Sequence, residues 1–113
     1  MIKHALKLIF FIPLFLIACA KPLPQDKTDY AGVWLSKDQR VALQITPEGR
    51  IEYINEQPNS SSSISAPIHS FEGSDFIVGF GPFKTTFKVT QSPQQNDQGE
   101  WSMVVDQNVL WKK

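Results

Sequence analysis

The sequence predicts an all-β fold. It reads as a small antiparallel meander of about eight short strands, closed or nearly closed into a β-barrel, behind a leader and a tether. Three observations predict it. Apolar residues alternate with polar or small ones over short windows, as in Val41-Ala42-Leu43-Gln44-Ile45 and Phe83 to Val89. Clusters of Gly, Pro, Asn, Asp and Ser punctuate the chain about every ten residues. No window of the mature part, residues 19–113, carries a helical period. Closure is expected because a small open sheet would leave two edges and an apolar face exposed.

The first residues do not belong to that pattern. Met1 to Lys7 contains Lys3 and Lys7 and no acid, and Leu8 to Ile17 is apolar throughout, with Pro13 inside it. Small residues follow at Ala18 and Ala20. A basic start, a short apolar centre and a small-residue exit describe a secretory signal peptide. As a helix the apolar run is about 15 Å long, and a membrane span needs roughly 20 residues. Leu16-Ile17-Ala18-Cys19 resembles a bacterial lipobox. The resemblance implies cleavage before Cys19, diacylglycerol on its thiol and acylation (palmitate, for example) of its new amino group. Three acyl chains satisfy the requirement for more than one lipid in a stable anchor. In Gram-negative lipoproteins Asp after the cysteine marks inner-membrane retention. Ala20 stands here, which implies a lipid anchor in the outer membrane, facing the periplasm.

Cleavage at that point leaves residues 19–113, 95 of the 113, enough for one small domain. Losing Lys3 and Lys7 takes the 11 basic residues to 9 against 11 acidic, a formal charge of −2. With no basic run, nucleic acid is not an expected partner. Cys19 is the only cysteine, so no disulfide is available and packing must hold the domain together.

The segments divide as 1–18 signal peptide, 19–29 lipidated cysteine and flexible tether, and 30–113 β-barrel domain. Ala20 to Asp29 is polar and carries Pro22 and Pro24, which favour extended chain. Gly32-Val33-Trp34-Leu35 opens the first strand. Val41 to Ile45 and Arg50 to Asn55 form a hairpin about Thr46-Pro47-Glu48-Gly49. Gln57 to Ser63 is read as a polar low-complexity loop, since serine offers little to bury. Ile64 to Glu72 resumes as a strand, and Pro67 makes it an edge or breaks it. Gly73-Ser74-Asp75 turns into Phe76 to Phe80, and Gly81-Pro82 bends the chain. Phe83, Thr85, Phe87 and Val89 share one face of the next strand, opposite Lys84, Thr86 and Lys88. Gln91 to Gly99 is read as a long turn. Trp101, Met103 and Val105 face inward, and Val109-Leu110-Trp111 closes the domain.

Candidate site residues are few. Cys19 is the lipidation site. Gly32-Val33-Trp34 resembles the Gly-x-Trp start of lipocalins, whose Trp closes the barrel floor. All five Phe residues after Cys19 lie between 71 and 87. Gly32, Trp34, Phe76, Phe80, Phe87 and Trp101 are therefore candidates for lining an apolar ligand pocket or for simply filling the interior, as side chains do in small barrels. Gly79-Phe80-Gly81 lacks the third glycine and the following helix of a phosphate cradle. His69 is the only histidine beyond the leader and stands beside no obvious catalytic or metal partner. No catalytic residue, cofactor or metal is expected, so the chain is not read as an enzyme. In size and layout the mature part resembles small β-barrel envelope lipoproteins, including lysozyme-inhibitor lipoproteins. Two functions follow. One is a non-enzymatic envelope module, anchored to the membrane, with a protein or cell-wall partner; an inhibitor of a cell-wall hydrolase is one form of it. The other is a lipocalin-like binder of a small apolar ligand.

Overall fold

The computed structural model describes residues 20–113; the expected signal peptide, residues 1–18, and the expected lipidation site Cys19 lie outside the described residues. A 3-10 helix, Gln25–Tyr30, precedes nine strands. These are β1 Gly32–Leu35, β2 Val41–Ile45, β3 Arg50–Gln57, β4 Ser60–Glu72, β5 Asp75–Phe80, β6 Phe83–Phe87, β7 Val89–Gln95, β8 Trp101–Val105 and β9 Asn108–Lys112. They form one antiparallel sheet in the order β6-β5-β4-β3-β2-β1-β9-β8-β7. The sheet curls strongly into a half-barrel, with β9 laid against β1 through the pairs Trp34–Lys112 and Leu35–Trp111.

The two ends of that order, β6 and β7, are consecutive in the chain, with Lys88 alone between them. They amount to one bent strand whose first half pairs with β5 and whose second half pairs with β8. Counted this way, the eight strands read from the alternation are the strands observed. At the bend the backbone still needs partners, and two aspartates supply them. The Lys88 N–H donates to Asp106 Oδ1 at 2.9 Å, while the Asp106 N–H donates to the Lys88 carbonyl at 2.8 Å. The Val89 N–H donates to Asp75 Oδ1 at 2.7 Å, on the other side of the strand.

The concave face holds the core. Trp34, Leu43, Ile45, Ile51, Phe76, Val78, Phe87, Met103, Val105 and Leu110 are fully buried, as their alternation requires. Phe76 stacks on Phe87 with ring centroids 5.0 Å apart, and Tyr53 meets Phe87 edge-on at 5.0 Å. Phe76 pairs with Phe87 in the ladder, which explains why the rings meet on one face.

Besides Gln91–Gln95, which runs on as β7 where a turn is expected, two segments depart from expectation. Residues 20–29 are not an extended tether. The Leu23 N–H donates to the Pro47 carbonyl at 3.0 Å, and Leu23 packs against the core. The Lys21 carbonyl occupies the space that a side chain at Gly49 would need, and Gly49 has φ +92°. Tyr30, at the end of the helix, is buried and donates from its hydroxyl to the Ser74 carbonyl at 2.8 Å. One leucine and one tyrosine, set among polar residues, supply the burial that overrides the composition. The serine run is the second departure. It pairs in unbroken register with β3, from Gln57–Ser60 to Arg50–Pro67, closed by the two-residue turn Pro58-Asn59. Serine contributes no apolar burial there; the turn and the ladder hold it.

The β4 ladder can be followed residue by residue. The Ile68 N–H points toward β3, donating to the Gly49 carbonyl at 2.7 Å. Antiparallel pairing alternates, so Ala66, Ile64, Ser62 and Ser60 also bond to β3. Ser61, Ser63, Ser65 and Pro67 turn their backbone groups the other way, toward the β5 side. Pro67 has no N–H to offer there. The β4–β5 ladder accordingly runs only from Ile68–Val78 to Glu72–Asp75, with a register shift at His69.

Two outcomes follow. Phe87→Ala should lower stability by about 3–5 kcal/mol, whereas Lys88→Ala, which removes only an exposed 3.8 Å ion pair to Asp75, should cost about 0–1 kcal/mol. Thermal or urea unfolding of the two variants separates them. Asp75→Ala should destabilise by about 1–3 kcal/mol, because the part-buried Val89 N–H loses its acceptor; an unchanged midpoint would remove the carboxylate from the bend.

Candidate functional site

Buried side chains pack the concave face. Of the six candidate ligand residues, Trp34, Phe76 and Phe87 are core side chains with at most 1% exposure, and none of them lines an open depression. Three surface features remain, and the other candidates sort among them.

The first is a cap over one end of the core. Trp34 and Lys112 are ladder partners and share a face. The Lys112 Nζ sits 4.9 Å from the ring centroids of both Trp34 and Trp101 and donates to the Asp29 carbonyl at 3.1 Å. The Trp34 indole N–H donates to the Tyr30 carbonyl at 2.9 Å. Gly32, with φ +141°, leaves room for the Lys112 stem; a Cβ there would lie 3.1 Å from Lys112 Cε. Gly32, Trp34 and Trp101 thus come together around a lysine that the sequence reading did not single out. Its signal was present only as a register, which needs β9 to pair with β1. The cap seals the end of the barrel and ties it to the 3-10 helix.

The second is an open depression of about 630 Å³ beside the cap, with which it shares Trp101 and Lys112. Leu35, Trp111, Glu100 and the β1–β2 turn line it. Lys37 Nζ lies 5.4 Å from the Trp111 ring centroid. The Trp111 indole nitrogen is buried and has no hydrogen-bond partner among the described residues. The turn beside it is ordered by Asp38, which accepts from the Ser36 hydroxyl at 2.7 Å and from the Arg40 N–H at 3.1 Å. These bonds, the Ser36 hydroxyl first, hold the exposed Asp38 carboxyl below its ordinary value of 3.8. The order that Asp38 gives this turn is present above 3.8 and is lost as pH falls through the lowered value.

The third is a groove of about 470 Å³ where β4 and the β5–β6 hairpin part company. Ile64, Ala66 and Val78 form its floor, with Phe80, Pro82, Phe83 and Lys84 along the far side. Phe80 and Phe83 face each other across the hairpin and are 65% and 79% exposed. Phe80, predicted as an interior residue by its parity with Phe76 and Val78, is therefore at a surface. Beyond Val78 its strand has left β4, and parity no longer leads inward. Gly79, with φ +112°, brings β5 so close to the Phe83 carbonyl that no side chain fits, which coils the hairpin at this point.

Among the described residues no three His, Cys, Asp or Glu side chains gather as metal ligands, and His69 is exposed on β4. No described helix is long and apolar enough to cross a membrane.

Lys112→Met, which keeps the stem and removes the charge, should cost about 1 kcal/mol or more and shift tryptophan emission. Equal emission spectra for the two proteins would show that Lys112 does not sit over the indoles. Comparison with protein-family models, curated proteins and solved structures finds no match to this chain.

Proposed function

We propose that this chain is a lipid-anchored protein of the bacterial outer membrane, facing the periplasm, and that its barrel is a non-enzymatic binding module for an envelope partner. Leu16-Ile17-Ala18-Cys19 supports the anchor. The observation that carries the rest is the placement of the ends. The chain enters the barrel at the β2–β3 and β4–β5 turns, through Leu23 on Pro47 and Tyr30 on Ser74. The β3–β4 and β5–β6 hairpin tips lie at the other end of those strands. β3 alone has eight residues, about 26 Å at roughly 3.3 Å per residue. With lipid on Cys19, the exposed Phe80 and Phe83 point away from the anchoring membrane.

That geometry favours a partner in the aqueous space over a second membrane contact. The packed concave face favours this reading over a lipocalin-like binder of a small apolar molecule, because the Phe cluster that suggested a pocket is packed against itself. Inhibition of a cell-wall hydrolase is one form the function could take, and the exposed hairpin tips are where such contact would be made.

Cys19→Ser should leave uncleaved precursor or soluble protein, where the wild type fractionates with outer membrane. Membrane fractionation with immunoblotting checks this, and retention of the variant at wild-type levels would overturn the anchor.

A further inference from the structure

We infer that the β4 edge from Ser61 to Ser65 is a strand-addition site, which takes an extended segment of a partner protein as an extra strand in the groove beneath Phe80 and Phe83. The inference deepens the binding-module reading and rests on it, but not on the lipid.

The edge itself specifies the occupant. The backbone N–H and C=O of Ser61, Ser63 and Ser65 point away from β3, toward a side where, among the described residues, no strand is paired. Only another extended backbone matches donors and acceptors at that repeat. Unpaired edges are aggregation hazards, and proteins blunt them with charge, proline or irregularity. The other two edges of this sheet are blunted in that way. β6 carries Lys84, and β7 carries Pro93 and two register shifts. From Ser60 to Ala66, β4 carries no charge, no proline and no bulge.

The groove supplies the rest. Ile64 and Ala66 lie on one face of the edge, and Phe80 and Phe83 stand across from them. A strand laid against Ser61–Ser65 would place alternate side chains over Ile64 and Ala66 and under the two phenylalanines. Those side chains must be apolar. Lys84 stands at the lip and makes no ion pair among the described residues, so an acidic residue near one end of the segment complements it. Pro67 fixes where the site begins, since the β4–β5 ladder cannot continue past a residue without an N–H on that side.

The test uses the full chain in detergent and a panel of nine-residue peptides. Each alternates threonine with valine, leucine or phenylalanine and ends in glutamate. At least one member should bind, and its binding should slow amide exchange at Ser61, Ser63 and Ser65 by tenfold or more, leaving Ser62 and Ile64 at their already slow rates. N-methylating alternate peptide amides should abolish binding. Ser63→Pro removes a donor that β3 does not use, so this variant should keep its melting temperature and lose at least tenfold in affinity. Ser62→Pro, which breaks the β3 ladder, should melt lower. The proposal is overturned if no peptide binds below about 1 mM, if N-methylation or Ser63→Pro leaves binding unchanged, or if protection appears elsewhere. It is also overturned if the free chain sediments as a dimer that Ser63→Pro dissolves, because the edge is then occupied by a second copy. None of these outcomes bears on Cys19, so failure here is distinct from failure of the anchor.

Discussion

Everything in this sheet depends on one hand-over. A chain of this length cannot leave both sheet edges and a concave apolar face in water, and it has no disulfide to hold a looser arrangement. It solves the problem by running one strand from the β5 edge to the β8 edge and bending it at Lys88. The bend interrupts two ladders at once, so its amides would be orphaned were it not for Asp106 on one side and Asp75 on the other. Asp75 stands at the first residue of β5 and Asp106 at the turn between β8 and β9, where their side chains reach past their own backbones.

The aromatic residues then follow from the curl. Phe76 and Phe87 stack because they are ladder partners beside the bend, and Tyr53 and Tyr30 close on them edge-on. At the other side of the barrel the same curl brings β9 to β1. There Lys112 lies between two indoles rather than in solvent, its stem against Gly32. A lysine near the core is tolerable because its charge meets two ring faces and a carbonyl.

Much of this was legible in the sequence, and what was not has a common cause. Period-two alternation gave the faces of β2 and β8 correctly, because burial of one face is what alternation records; in β6 it held at Phe87, while Phe83 and Thr85, expected on the same core face, are exposed. It could not report Ser60–Ser63, Gln91–Gln95 or Leu23, whose places are set by pairing and docking rather than by apolar content. Gln91–Gly99 has the composition of a turn, yet β7 runs to Gln95 with its side chains largely exposed. Phe80 failed for the converse reason: its parity was right, but its strand had already parted from β4 and was paired only with β6. Of the candidate site residues, Gly32, Trp34 and Trp101 do meet, around Lys112; Trp111 and the free edge of β4 required the three-dimensional register. Cys19, the residue with the clearest sequence signature, lies outside the described residues.

The docked N-terminal segment changes what an anchor would mean. Between Cys19 and the first docked residue, Lys21, there is only Ala20, a reach of about 7 Å. A domain on so short a leash does not sweep a hemisphere above its membrane. It stands at nearly fixed height and tilt, free to turn and drift in the plane but not to lean toward distant targets. Its collisions would then be governed by surface density, in two dimensions, with whatever else occupies the same thin layer. Lengthening that leash would widen the layer it patrols while diluting every encounter within it.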